Sequence, residues 1–552
     1  MAWKIRVAED SDSILQNPQN ILPHLADWIQ QQRWSGLASM KTVKLKVVDS
    51  FNLAIEKNWV LFGVICRVKA QEKRETIEKR YFIPFFLTAN PEYPSLNPER
   101  EIIIRGKDYA LKLMEAELVP AYIKTILVYV LSGKQIRTAA DWRVQFTSTE
   151  RFEAPQPLGE PSLSVLGGGD TTHVVVKASE LIRNPFVVKS YREISEENPE
   201  PDMLLALTLA EFPYAPKLLG SVTYGHKGRE SVTLAIFESG EECEGDGRKP
   251  FFENLTHILR FASTYTPEAL ETEIHLRIGK TATRLGKIVA DLHSALANRK
   301  GEDFIPETIT KEDILQKKKE ISANFKFCLS MLEESQIEQL PISEVSKSVI
   351  KALADEIRQK SGRFQERLKI LDRMVGMPKT RTHQDLHLAQ MLSRKANGYY
   401  EFVIIDFEGD PQRRGKPRKA KETPLRDLGC LCRSFGYVKY DGLAAILRGK
   451  LGEEALIQLA QAYQNPEKAE KWRIKPILEA ASIWEQTVIG LLLRGYFERK
   501  PAYNDKKLAY DLIRFWMMEK ALLEMRYEIT HRIEKIVIPL EGFLELLRDT
   551  DI

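Results

Sequence analysis

"THQDLHLAQML" at 382–392 and "FVIIDFEGD" at 402–410 decide how this chain is read. The first stretch puts His383, Asp385 and His387 at alternate positions, and the second ends an apolar run on Asp406. On a strand the two histidines and Asp385 would share one face, which leaves a zinc site geometrically open. The nearby chain offers no further His or Cys ligand, however, and "DLHLAQML" runs on at helical spacing. Phosphoryl transfer accounts for more of these residues. It needs one carboxylate to orient the acceptor hydroxyl, a second on Mg²⁺, and often an amide oxygen on the metal. Asp385 in a loop, Gln390 five residues later and Asp406 at a strand end form that ordered set.

The same chemistry asks for a glycine-rich turn, a lysine on a strand and a hinge upstream. "LGGGDTTHVVVK" supplies the turn, where Gly168 and Gly169 let backbone N–H groups approach phosphate and Thr171 and Thr172 add hydroxyls. A hairpin turn explains those glycines equally well. Lys189 ends "PFVVK", suited to the α- and β-phosphates, although lysines at strand ends are usually just solvated. "LAIFESGEECEGDG" leads a strand into Glu238, Ser239 and Gly240, where an adenine could bond to the backbone.

The 552 residues are too many for one compact core. Lys and Arg number 81 against 77 Asp and Glu, a balance that argues against nucleic-acid or membrane-surface partners. "MAWKIRVAED" has no apolar core of a secretory signal, and no apolar run is as long as a membrane span, so a cytoplasmic protein is expected. The five cysteines form no CxxC pair, and Cys430 and Cys432 read as buried helix thiols. "NILPHLADWIQQQRW" has helical spacing, while "TVKLKVVDSF", "WVLFGVICRV" and "KRYFIPFFL" read as antiparallel strands. Pro-rich "EAPQPLGEPS" marks a boundary, more strands follow it, and from about residue 252 long amphipathic patterns dominate. The pattern predicts an α+β, bilobal chain: 1–152 as an N-terminal unit, 153–250 as a strand-rich lobe and 251–552 as a helical lobe.

"HQDLHLAQML" followed by "VIIDFEGDPQRR…PLRDLGCLCRSFGY" resembles the maltokinase family, bacterial and archaeal enzymes related to glucosamine kinases and aminoglycoside kinases. "LADWIQQQRWSG", "VVKSYREISEENPEPD", "FPYAPKLLG", the Gly-Asp of "EGDG", "LGKIVADLHSALA", "LLLRGY" and "EKALLEMRYEITHRIEKIVIPLEGF" fall in family order, so the resemblance covers most of the chain. It implies a protein-kinase-like, aminoglycoside-phosphotransferase-like fold with an N-terminal α+β cap. It makes Asp385 the catalytic base, Gln390 and Asp406 Mg²⁺ ligands, and Lys189 a contact to ATP phosphates. His383 would support the catalytic loop, His387 would lie near Mg²⁺ or the γ-phosphate, and Glu408 would line the acceptor pocket. Arg426 and Asp427 would brace the loops, and Lys520, Glu524, Tyr527 and Glu528 would look toward the sugar. The implied reaction is phosphorylation of maltose at its anomeric hydroxyl, serving α-glucan (glycogen) and trehalose metabolism, with trehalose synthase as a candidate partner.

Several positions depart from the family. Gln384 and Ala389 stand where glycines are usual, and the phosphate loop shows Asp170–His173 in place of Ser-Asn-Thr-Ser. Leu204 falls near the place of the lysine's acidic partner, leaving Glu200 or Asp202 as substitutes, and Leu523 replaces an aromatic. These changes keep two alternatives in view: a kinase for glucosamine, trehalose or another small sugar, and a nucleotide-binding pseudokinase. Trp34, Trp484, Met517 and Met518 read as core, and the basic run at 413–421 as a solvated loop.

Overall fold

Period-two alternation over the first 150 residues builds a six-stranded sheet. Its strands are β1 (Trp3–Arg6), β2 (Thr42–Glu56), β3 (Trp59–Glu72), β4 (Glu75–Thr88), β5 (Ile102–Arg105) and β6 (Ala110–Glu115), in the spatial order β1-β5-β6-β4-β3-β2. Only β1 and β5 run parallel. Both faces of the sheet are covered, which is why its central strands read as near-continuous apolar runs. Successive residues Phe85 and Phe86 therefore enter two different cores. One core receives Trp28 of α1 (Ala26–Gln31) together with Trp34, the other the buried stripe of α2 (Pro120–Ser132).

The computed structural model describes residues 3–7, 10–37, 40, 42–72, 75–94, 96–149, 152, 159–167, 173–226, 231–298, 303–410, 416–452, 454–500 and 505–548. It divides into two compact units, 1–208 with 216–241, and 209–215 with 242–552. Gly168, Gly169, Thr171 and Thr172 lie outside the described residues, as does part of the basic run at 413–421.

A second sheet completes the first unit. Its strands are β7 (Gln135–Arg137), β8 (Arg143–Ser148), β9 (Ser162–Leu166), β10 (Val174–Ser179), β11 (Phe186–Ser190), β12 (Leu218–Gly225) and β13 (Val232–Ser239), ordered β7-β8-β12-β13-β11-β10-β9. β7 and β8 precede residue 152, so this sheet draws strands from both sides of the expected 152/153 border. Helix α3 (Glu200–Leu209) interrupts the strands, close to where helical spacing places it.

The second unit is mostly helical: α4 (Lys249–Arg260), α5 (Pro267–Ala297), α6 (Pro424–Leu451), α7 (Lys475–Arg499), α8 (Lys506–His531) and α9 (Val537–Arg548) carry its core. A small sheet of β14 (Gly245–Asp246), β15 (Met391–Ala396) and β16 (Tyr399–Ile404) sits among them. Two glycines set the closest helix contact. A Cβ on Gly286 of α5 would stand 1.9 Å from the Leu492 carbonyl oxygen, and one on Gly495 of α7 would stand 2.1 Å from the Thr283 carbonyl oxygen. Among the described helices α7 alone is long and apolar enough to cross a membrane, and this backbone contact marks it as a core helix. Trp484 on α7 is fully buried and donates its Nε1–H to Asn254 at 2.8 Å. Cys430 and Cys432 are buried on α6, where burial pushes the Cys430 thiol up to about 12.

Candidate active site

The loop 382–390 has almost no regular structure, so its side chains depend on what anchors its backbone. Asp427, in the first turn of α6, does most of this: one carboxylate oxygen accepts from the His383 N–H and the other from the Gln384 N–H, both at 2.8 Å. Asp427 is itself held by His293 of α5, whose Nε2 lies 3.2 Å from Oδ2, and His293 Nδ1 lies 2.9 Å from the Tyr496 hydroxyl of α7. Burial lowers the His293 pKa, against the pull of Asp427, so the ring is neutral; it donates from Nε2 and accepts from Tyr496. The glycine contact between α5 and α7 brings Tyr496 within reach of His293.

Arg426 braces the loop from the neighbouring position, donating to the Gln384 carbonyl and to Glu519 of α8, each at 3.1 Å. Its guanidinium is fully buried. Burial lowers its pKa, but Glu519 and its other acidic neighbours outweigh that and hold it above the ordinary value. His383 Nε2 lies 2.9 Å from the Ile405 carbonyl, tying the loop to the end of β16, and its ring packs on Phe407.

Gln384 has φ +68°, in the left-handed region where a β-carbon is strained. That is the physical reason a glycine suits this position. Here the side chain offsets the strain, since Nε2 donates to the carbonyls of Arg418 at 3.0 Å and Ala420 at 2.8 Å. Asp406 is also left-handed, at φ +65°. Non-glycine residues in this region concentrate at functional sites.

Asp385, 8% exposed, faces Lys520 of α8 through Oδ1 at 2.7 Å and His387 through Oδ2 at 3.6 Å. Burial alone would raise its pKa, but Lys520 and His387 win and hold it well below the usual carboxylate range. Gln390 donates from Nε2 to Asp406 at 2.7 Å, so the two expected metal ligands meet just beyond the open end of the β15–β16 hairpin. Amide and carboxylate oxygens are the hard donors that suit Mg²⁺. Glu408 lies two residues beyond Asp406 in the turn that follows β16. Gly247, just after β14, lets its chain lean on this hairpin, because a Cβ there would stand 2.6 Å from the Leu388 carbonyl oxygen.

The remaining residues of α8 part company. Glu524 is largely covered, its side chain 11% exposed, and meets Arg433 of α6 at 3.0 Å; desolvation pushes its carboxyl up to about 7 despite Arg433 and Lys520. Glu528 accepts from the Tyr437 hydroxyl at 2.8 Å and pairs with Arg532. Tyr527 is 39% exposed and stacks on His531. Lys520, of this set, donates a hydrogen bond to Asp385 in the 382–390 loop.

In the first unit, Lys189 of β11 is 7% exposed and pairs with Glu200 of α3 at 2.8 Å. Glu200, one of the two acids the sequence offers, is thus an acidic partner of Lys189, and Leu204 is core. The Tyr191 hydroxyl donates to the same Glu200 oxygen at 2.6 Å. At the strand end, the Ser239 and Gly240 N–H groups donate to the Lys217 and Pro185 carbonyls, and Glu238 pairs in register with Val187.

Sequence reasoning missed His293, Tyr496, Glu519 and Arg433. His293 and Tyr496 sit inside segments that carry the family resemblance, yet nothing local in "DLHSALA" or "LLLRGY" says that they meet.

No family model matches the chain. Among solved structures it is similar to a glucosamine kinase in complex with glucosamine, ADP and inorganic phosphate, at 15% identity and a TM-score of 0.57, over 98% of this chain and 100% of that one. It is also similar to crystal form A of a glucosamine kinase, at 15% identity and TM-score 0.55 over 97% and 99%, and to crystal form B, at 16% and 0.57 over 98% and 100%. At such identities the likeness is one of fold, an α+β architecture shared over nearly the whole chain.

Proposed function

We propose that this protein is an ATP- and Mg²⁺-dependent sugar kinase that phosphorylates maltose at its anomeric hydroxyl. The observation that carries this reading is Asp385, fixed by a loop whose backbone hangs on Asp427, with Gln390 and Asp406 joined just beyond the open end of the next hairpin. The Lys189–Glu200 pair supports it from the first unit, since such a lysine is held ready for nucleotide phosphates. Retention of that pair argues against a pseudokinase.

Asp385 orients the sugar hydroxyl and takes its proton. With its pKa held so low it is a weak base, which suits a loose phosphoryl-transfer transition state that asks little of one. Lys520 holds the carboxylate in place. Mg²⁺, held by Gln390 and Asp406, would supply charge neutralisation at the phosphates.

Lys520 also bears on the acceptor. A largely covered ammonium 2.7 Å from Asp385 would repel an amino sugar brought to that carboxylate, and Glu524, half-protonated near neutrality, offers little charge to offset it. A neutral sugar fits this field better. Glucosamine remains the second reading, favoured by the glucosamine kinases that share the fold. On the maltose reading the product serves α-glucan and trehalose metabolism in the cytoplasm, beside a trehalose synthase. The test is ADP release with maltose, glucosamine or trehalose, with Asp385→Asn as control. Turnover on maltose that is lost in the variant is the expected result. Turnover on glucosamine alone rejects the maltose reading, and ATP binding without turnover on any sugar rejects both.

A further inference from the structure

Arg192 lies three residues beyond Lys189 and is fully buried. At this point the chain leaves one sheet for the other. The Tyr191 N–H still donates to Leu234 of β13 at 2.9 Å, while the Arg192 carbonyl accepts from Phe82 of β4 at 2.9 Å. Ile194 N–H donates to Arg80, and Glu193 bridges Tyr81, so the following residues belong to the first sheet. Alternation puts Lys189 and Tyr191 on one face, where both meet Glu200, and sends Arg192 to the other.

There the guanidinium is enclosed by the end of β6 and the turn after it. Glu115 Oε1 accepts from it at 2.7 Å, Glu117 accepts from both terminal nitrogens, and the ring of Trp34 lies 5.3 Å away. Trp34 in turn donates its Nε1–H to Glu115 at 3.2 Å, and Arg100 pairs with the other Glu115 oxygen at 3.2 Å. Burial works against the Arg192 charge, yet the two glutamates hold its pKa above the ordinary value. Two glutamates, two arginines and one indole therefore fix the strand exit that carries Tyr191. Core packing alone does not ask for this cluster, since apolar side chains of similar volume serve stability as well as a buried ion cluster.

We propose that Glu115, Glu117 and Arg192 form a positioning site, by which the first sheet holds Tyr191 and through it the Lys189–Glu200 pair. The inference deepens the kinase reading and rests on it for the purpose of that pair, though the linkage itself does not. It gives the N-terminal sheet a task in nucleotide binding.

The test uses the full chain and two readouts. The first is the rate at which an amine-acylating reagent modifies Lys189, read by mass spectrometry, with Lys112 as an internal reference. Lys112 is 6% exposed in the same unit and pairs with Glu101 at 2.9 Å, so it reports general opening of that unit. Glu117→Gln, Arg192→Met and Tyr191→Phe are expected to raise Lys189 modification by about fivefold with Lys112 unchanged. Arg192→Lys, which keeps the charge, is expected to give a smaller rise. Equal rises at both lysines, or none at Lys189, overturn the proposal. If Arg192→Met does not fold, Glu117→Gln and Tyr191→Phe decide. The second readout is Mg-ATP affinity by calorimetry, expected to weaken about tenfold in the same variants. Selective release of Lys189 with unchanged ATP affinity would uphold the positioning site and reject the role of Lys189 in ATP binding.

Discussion

Glu115 in the first unit and the pair Glu524 and Glu541 in the second are shifted in opposite directions. In the first, Glu115 is fully buried, and burial alone would raise its pKa, yet Arg192 and Arg100 hold it below the ordinary carboxylate value. In the second, Glu524 has Arg433 beside it, but the contacting Nε and Oε2 atoms do not reach hydrogen-bond geometry. Burial wins there, and the carboxyl titrates at about 7. Glu541, on α9, rises to about 7 for the same reason despite Arg548. The difference follows from architecture. Adjacent strand ends deliver short, directed contacts around one cation, whereas helices bring long side chains together with less control of angle.

The largest effect expected from breaking this contrast lies in the helical unit. Gly286→Ala forces a methyl against the Leu492 carbonyl and parts α5 from α7. It should destabilise that unit by about 3 kcal/mol. Thermal unfolding followed by tryptophan fluorescence checks it, and an unchanged midpoint would show that the two helices adjust without cost.

Asp427→Asn comes next. An amide cannot accept from both the His383 and Gln384 N–H groups while also receiving His293, so the loop loses its register. On the proposed kinase reading, turnover should fall by about 10²-fold with Mg-ATP affinity unchanged, because misplacement rather than binding is affected. Equal losses in both would show that the loop and the nucleotide site are not separable.

The pH response separates these glutamates directly. Glu115, lowered from 4.5, contributes stability that is present above that pH and lost as the pH falls below it. Glu524 and Glu541, raised from 4.5 to about 7, contribute stability that is present in full below pH 4.5 and lost as the pH rises through about 7. Acid should therefore remove the Glu115 contribution from the first unit, and a rise from pH 5 to 8 the Glu524 and Glu541 contributions from the second. Glu524→Gln with Glu541→Gln should flatten the second response and leave the first alone, as measured by hydrogen exchange in each unit across that range.

The smallest effect is expected at Gln384. Gln384→Gly relieves the left-handed strain, worth about 1 kcal/mol, and loses two hydrogen bonds of similar value, so stability should move by less than about 1 kcal/mol. A denaturant midpoint that drops clearly would show that the side-chain anchor outweighs the strain.

Much of the fold was legible in the chain. The long strands of the first sheet, the helix after Lys189 and the long α8 all stand where alternation and helical spacing put them. The 152/153 border was less legible, because β7 and β8 join a sheet whose other strands come later, and no local pattern records a distant strand partner. In the candidate site, Asp385, Gln390 and Asp406 stand out in the sequence because they are close together and typed by their chemistry. Glu200 was one of two candidates, and choosing it required knowing which side chain α3 turns toward β11.

The sequence by itself determined the kinds of element, the short-range set around Asp385 and the lysine that pairs with an acid. Only the tertiary structure decided that Asp427 hangs from His293 and Tyr496, that Lys520 reaches Asp385, and that Arg192 is caged by Glu115 and Glu117. Local pattern follows from backbone period and solvent exposure, which each stretch of chain carries alone. A hydrogen bond between residues 75 or more positions apart depends on helix crossings and sheet register, and these are fixed only when the whole core closes.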